Sequence, residues 1–119
     1  MTDPSGAESK RCWTLETARA MLADVRDRTA TAVEEVDALI ARRDVLAEGD
    51  PGRPDLDAKL EAAISRWLRG MEALGLEVKG LWLVDFDNGS GYLCWKWPEE
   101  KLEFFHGYDE GFQGRTRIQ

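Results

Sequence analysis

A long apolar seam near the N-terminus constrains this chain more than any other feature. Alternating steps of three and four from Leu15 land on Ala18, Leu22, Val25, Thr29, Ala32, Val36, Leu39, Arg43 and Leu46. Only Thr29 and Arg43 interrupt the apolar run. That period belongs to one face of a helix and not to a strand. Thr14 supplies an N-cap and Glu16 an acidic first turn. The spacing therefore predicts a helix over 14–47, about 50 Å long at 1.5 Å per residue. The breaker-rich stretch from Glu48 to Pro54 ends it. A second helix is expected over 55–74, with Leu56, Leu60, Ala63, Ile64, Trp67, Leu68, Met71 and Leu74 on one face and Gly75 closing it. Two helices joined by a short loop form an antiparallel hairpin. The first is much the longer, so part of its seam needs a further partner. That partner is either the C-terminal region or a second copy of the chain.

From Leu81 the period becomes alternating. Strands are expected over 81–87, 92–97 and 102–106, separated by the turn Asn88-Gly89-Ser90-Gly91 and by Pro98-Glu99-Glu100-Lys101. Pairing Asp87 with Tyr92 and Trp97 with Leu102 sorts the side chains onto two faces, because they alternate with period two. One face carries Trp82, Val84, Phe86, Leu93, Trp95, Trp97, Leu102, Phe104 and His106 and should pack on the helices. The other carries Leu83, Asp85, Cys94, Lys96, Glu103 and Phe105, with Asp85, Lys96 and Glu103 as an exposed charge ladder. The fold class that follows is α+β: a long antiparallel helical hairpin, then a three-stranded antiparallel meander packed on it.

At 119 residues the chain has room for one core. Residues 1–12, small and polar with Pro4 and Gly6, read as a disordered tail, leaving a single domain over 13–119. With 23 acidic and 16 basic residues this is an acidic protein of net charge −7. That argues against nucleic acid, whose non-specific binding rests on Lys and Arg, and against a polybasic membrane contact. The aromatic cluster does not rescue a nucleic-acid reading, because it sits on the helix-facing side. No apolar stretch approaches a membrane span or a secretory signal. Two cysteines in unlike contexts, Cys12 and Cys94, read as free thiols in a reducing cytoplasm.

Two constellations carry possible chemistry. His106, Asp109, Glu110 and Cys94 have the donor types of a zinc site. The chain has one histidine and lacks Cys-x-x-Cys or His-Glu-x-x-His spacing, and the pairing above puts Cys94 and His106 on opposite faces. No metal is favoured and no cofactor is predicted. Arg115 and His106, beside the glycine-flanked backbone of Gly111–Gly114, could instead hold an anionic ligand. The simpler use of Arg115 is an ion pair with Asp109, Glu110 or Asp85. No Gly-x-Ser-x-Gly elbow occurs, and Cys94 needs a cationic neighbour to form thiolate. Catalysis therefore has little support.

Leu83-Val84-Asp85-Phe86, Leu93-Cys94-Trp95-Lys96, Phe105-His106 and Asp109-Glu110-Gly111-Phe112-Gln113-Gly114-Arg115, with the opening Trp13-Thr14-Leu15-Glu16-Thr17-Ala18, resemble the prokaryotic domain-of-unknown-function family 2203. The resemblance spans residues 13–118. It departs at Ala23, where the family often has Pro, and before Ile118, where it usually has Pro. What it implies concerns extent and fold; it brings no catalytic residue.

Two functional expectations result. In one, the protein is a small cytoplasmic binding or assembly module that meets a partner helix, or forms a homodimer, through its first helix. In the other, His106, Asp109, Glu110 and Arg115 form a ligand or metal site, open to enzymatic use, at the end of the third predicted strand.

Overall fold

A computed structural model describes residues 12–118. The tail expected over 1–12 lies, apart from Cys12, outside the described residues. Helix α1 spans Leu15–Asp44 and α2 spans Arg53–Ala73. Five strands follow: β1 Glu77–Gly80, β2 Leu83–Asp87, β3 Tyr92–Lys96, β4 Phe104–His106 and β5 Thr116–Arg117, with a 3₁₀ turn at Phe112–Gly114 before β5. All neighbours are antiparallel and the sheet order is the chain order.

Local chemistry sets the helix ends. The Thr14 hydroxyl accepts from the Thr17 backbone N–H at 3.0 Å, and the Thr17 hydroxyl accepts from Thr14 N–H at 2.9 Å. This reciprocal cap satisfies two donors that a helix start leaves orphaned. At the other end of the hairpin, Gly75 has φ +93° and closes α2, a conformation that costs glycine nothing.

The seam is buried as its period demands. Ala18, Leu22, Val25, Thr29, Ala32, Val36 and Leu39 are all buried. The distal end of the hairpin packs on itself, Val36 and Leu39 against Leu56, Leu60 and Ala63. The proximal half of α1 packs with Trp67 and Met71 onto the sheet residues Val84, Phe86, Leu93 and Trp95. The sheet thus takes up the surplus length of α1. The seam is covered within one chain, which removes the observation on which association through it rested. No helix among the described residues is long and apolar enough to cross a membrane.

The meander has five strands where three were expected. The additions, β1 and β5, are edge strands of four and two residues, too short to show an alternating pattern of their own. The expected first strand also begins late. Leu81 and Trp82 form the β1–β2 turn, with Trp82 at φ +62°. A bulky residue adopts that region only when its surroundings hold it there. Here its ring meets Trp67 edge-on, with centroids 4.8 Å apart.

Candidate site on the outer face of the sheet

The β2–β3 register agrees with the sequence reading: Asp87 faces Tyr92, Asp85 faces Cys94 and Val84 faces Trp95. The β3–β4 register does not. His106 faces Tyr92, Phe105 faces Leu93 and Phe104 faces Cys94, one residue away from the expected pairing. A slip of one turns every side chain of a strand over. Phe105 therefore packs with the core, while His106 joins Cys94 and Asp85 on the outer face.

The cause lies in residues 97–103, which form a folded connection and not a tight turn. Glu99 organises it. Its N–H donates to Lys96 O at 2.8 Å, its carbonyl accepts from Trp95 Nε1 at 2.8 Å, and its carboxylate accepts from Lys96 N–H at 3.0 Å. Leu102 leaves the strand and is buried, its carbonyl held by the Arg19 guanidinium. Gly91 permits the resulting approach of β4, since a Cβ there would lie 2.5 Å from Phe105 Cζ and 2.7 Å from His106 O.

The outer face is not an exposed charge ladder. Asp85 is 1% exposed, Cys94 0% and His106 3%. Their donor atoms all lie within 4.8 Å of one another. His106 Nε2 is 2.9 Å from Asp85 Oδ2, and His106 Nδ1 is 2.9 Å from Gly107 O. A carbonyl can only accept, so Nδ1 carries a proton. A further proton must then sit between Nε2 and the carboxylate, as an imidazolium–carboxylate pair or as a neutral imidazole with a carboxylic acid. Burial pushes the Asp85 carboxyl up, against the pull of His106. Burial, then the Asp85 charge, pushes the Cys94 thiol up to about 12, with Arg115 opposing. As it stands, Cys94 is a thiol and a poor nucleophile.

Residues 107–118 fold over this face. The Tyr108 hydroxyl donates to Asp87 Oδ1 at 2.6 Å, and Glu110 accepts from Gly107 N–H at 2.7 Å. Arg115 lies between the Phe104 and Phe112 rings, 4.0 and 4.1 Å from their centroids. It forms a bidentate pair with Glu99 and brings Nη1 to 3.9 Å from Cys94 Sγ. Under the segment is a cavity of about 290 Å³. Its floor holds Asp85, Cys94 and His106, and its walls include Tyr92, Tyr108 and Phe112.

Of the residues proposed from sequence, His106 stands at the centre of this cluster and Glu110 lines the cavity. Arg115 touches the cluster through Cys94, but its ionic partner is Glu99, not Asp109, Glu110 or Asp85. Asp109 is exposed and lies outside the cavity lining. Asp85 was missed as a site residue. It did carry a signal: a carboxylate between Val84 and Phe86 in an apolar strand, facing Cys94 in a register that was read correctly.

The family model described as an uncharacterised conserved protein, DUF2203, matches residues 11–118. The chain belongs to this family. No curated protein and no solved structure shows significant similarity to it. The DUF2203 match runs from before Trp13 through the segment that covers the cavity. A second cavity, between α1 and α2, is lined by Arg28, Glu35, Arg66 and Trp67 among others. Its charged groups are already matched, Arg28 with Asp24 at 3.1 Å and Arg66 with Glu35 at 3.0 Å.

Proposed function

We propose that this DUF2203 member is a small binding module whose ligand sits in the outer-face cavity, against the Asp85–His106 pair. One observation carries the reading. A hydrogen-bonded acid–imidazole pair is buried on the sheet face that the helices do not cover, as the floor of a cavity. A buried ion pair is seldom more stabilising than apolar residues of similar volume, so packing alone gives no reason for it. Perturbed titratable groups in a pocket walled partly by aromatic rings are what ligand sites use. The ring-lined walls suit a small molecule with an aromatic or apolar body and one polar group directed at the floor. Two free cysteines, Cys12 and Cys94, suit a reducing cytoplasm.

The test is a backbone amide NMR titration of the protein with small aromatic carboxylates, phenols and amines. Shifts concentrated between Lys79 and Phe112 are expected. Their absence there, or their concentration in the groove around Arg66 and Trp67, overturns the reading.

A further inference from the structure

We propose that Asp85, Cys94 and His106 are the protein ligands of a single transition-metal ion of the zinc class, with its open coordination position facing the cavity. The inference rests on the reading of that cavity as the binding site and names the chemistry of what it binds.

Four observations converge. The first is placement. Asp85 and Cys94 are direct cross-strand partners, and His106 sits diagonally from Cys94 on the next strand. A rigid sheet therefore presents all three from one face. In a four-coordinate ion with metal–ligand bonds of about 2.0–2.3 Å, neighbouring donor atoms lie roughly 3.3–3.6 Å apart. His106 Nε2 and the Asp85 carboxylate, 2.9 Å apart through Oδ2, are near enough to share one ion whichever carboxylate oxygen binds it. The sulfur, within 4.8 Å of both other donors, has to close by up to about 1.2 Å to reach that spacing.

The second is an unmatched acceptor. Asp85 Oδ1 is fully buried and receives no N–H or O–H donor. Only the weak S–H of Cys94 stands beside the carboxylate. A buried carboxylate oxygen in that state is costly, and a cation between Asp85 and Cys94 would satisfy it.

The third is the orientation of His106. Its Nδ1–H is fixed by the Gly107 carbonyl at 2.9 Å, which directs Nε2 at the cluster. Metal-bound histidines are held in this way, the remote ring nitrogen donating to a carbonyl or carboxylate.

The fourth is the donor set. A thiolate, an imidazole and a carboxylate exclude magnesium and calcium, which take oxygen ligands, and favour zinc and its neighbours. Three protein ligands and one open position are the pattern of zinc sites that also bind a small molecule. The ionised thiolate and carboxylate balance a divalent charge. Arg115, itself neutralised by Glu99, lies 3.9 Å from the sulfur. The protons also balance: the ion takes the place of the Cys94 thiol proton and the proton shared by Asp85 and His106. Two protons therefore leave to solvent, and Nδ1–H stays.

The test uses cobalt(II) as the probe, added to the full chain under reducing conditions after treatment with a chelator. The Cys12→Ser chain is read first, because Cys94 is then its only thiol. A thiolate-to-cobalt charge-transfer band is expected, saturating at one equivalent, together with the intense visible bands of a four-coordinate ion. His106 is the only histidine in the chain, so its ring protons should be the only imidazole resonances shifted by the paramagnetic ion. Cys94→Ser, checked for folding by circular dichroism, should lose the band. Asp85→Asn should weaken cobalt binding at least tenfold.

A Cys12→Ser chain that is folded but shows no band overturns the inference. So does a band that disappears with Cys12. Aromatic probes that still shift the cavity amides in that case would leave the pocket reading standing and remove only the metal. A cobalt band without any shift by the organic probes keeps the metal and limits the pocket to it.

Discussion

Trp67 donates its indole N–H to the Thr29 hydroxyl at 2.9 Å, a fully buried hydrogen bond between the two helices. It explains why the one polar residue in the middle of the apolar seam is tolerated. Thr29→Val keeps the shape and removes the acceptor, leaving a buried N–H unmatched. A loss of about 1–3 kcal/mol in urea unfolding is expected. Adding Trp67→Phe removes the orphaned donor, so the double variant should lose less than the sum of the two single variants. Strict additivity would show that the bond contributes nothing specific.

Val36 is 3% exposed in the distal core between α1 and α2. Its place on a heptad-like seam invites the idea of an interface between chains. Val36→Glu decides between interface and core. A charge placed in the intramolecular core should abolish cooperative folding, because burying an unpaired carboxylate costs several kcal/mol. A chain that keeps its circular dichroism spectrum and changes only its sedimentation mass would return the seam to an intermolecular role.

Gly91 stands where β4 crosses closely. The Cβ of an alanine there would meet Phe105 Cζ at 2.5 Å and the His106 carbonyl at 2.7 Å. The second contact is with backbone and cannot be relieved by a rotamer change. Gly91→Ala should cost about 1–3 kcal/mol and displace His106 from Asp85. Amide shifts in β4, with α1 and α2 unaffected, are the expected signature. A variant as stable as the parent would show that β4 can move away from residue 91 at little cost.

The raised Cys94 thiol gives a pH dependence of defined sign. An acid whose pKa is higher in the folded state holds its proton more tightly there. The associated stability is fully present below the ordinary thiol value of 9 and is lost as pH rises toward about 12. At one and a half units above 9 the loss is about 2 kcal/mol, since each unit corresponds to about 1.36 kcal/mol. Chemical unfolding near neutral pH and near pH 10.5 should show this fall in the parent and a shallower one in Cys94→Ala. The same protonation predicts that iodoacetamide labels exposed Cys12 well before buried Cys94, read by peptide mass spectrometry. Equal alkaline slopes in the two proteins would remove the thiol as their cause.

How much could be read from the sequence follows from how local each signal is. The hairpin was legible because its seam repeats over many turns and both its ends carry their own caps. The β2–β3 register was legible because Asn88-Gly89 fixes it within a few residues. The β3–β4 register was not. It depends on how Glu99 folds the connection and on Leu102 joining the core, and both are tertiary choices. That single residue of slip concealed the site, since it assigned His106 to the wrong face and so argued against its meeting Cys94. The same expected register makes Asp85 a surface charge, although it pairs Asp85 with its true partner, Cys94. The edge strands β1 and β5 exist only because a neighbour supplies their hydrogen bonds.

Arg115 fastens the segment that covers the cavity, and its removal should loosen that segment alone. Its guanidinium makes two hydrogen bonds to Glu99 and lies against the Phe104 and Phe112 rings. It is largely buried, at 14% side-chain exposure. A planar fork makes two parallel hydrogen bonds while its flat face lies against the rings; an ammonium group has no such plane. Arg115→Lys should therefore lose most of a charge-assisted contact, about 1–2 kcal/mol. The Ile118 amide, which donates to Glu103 O at 2.7 Å, reports whether the segment is seated. Its hydrogen exchange should accelerate roughly tenfold, since about 1.4 kcal/mol of local opening energy corresponds to that factor. Amides in the middle of α1 should keep their protection. Glu99→Gln should loosen the segment and also disturb Lys96, whose N–H the same carboxylate accepts. If Ile118 exchange does not change in Arg115→Lys, the segment is held by its β5 pairing, and the Arg115–Glu99 pair plays no part in closing the cavity.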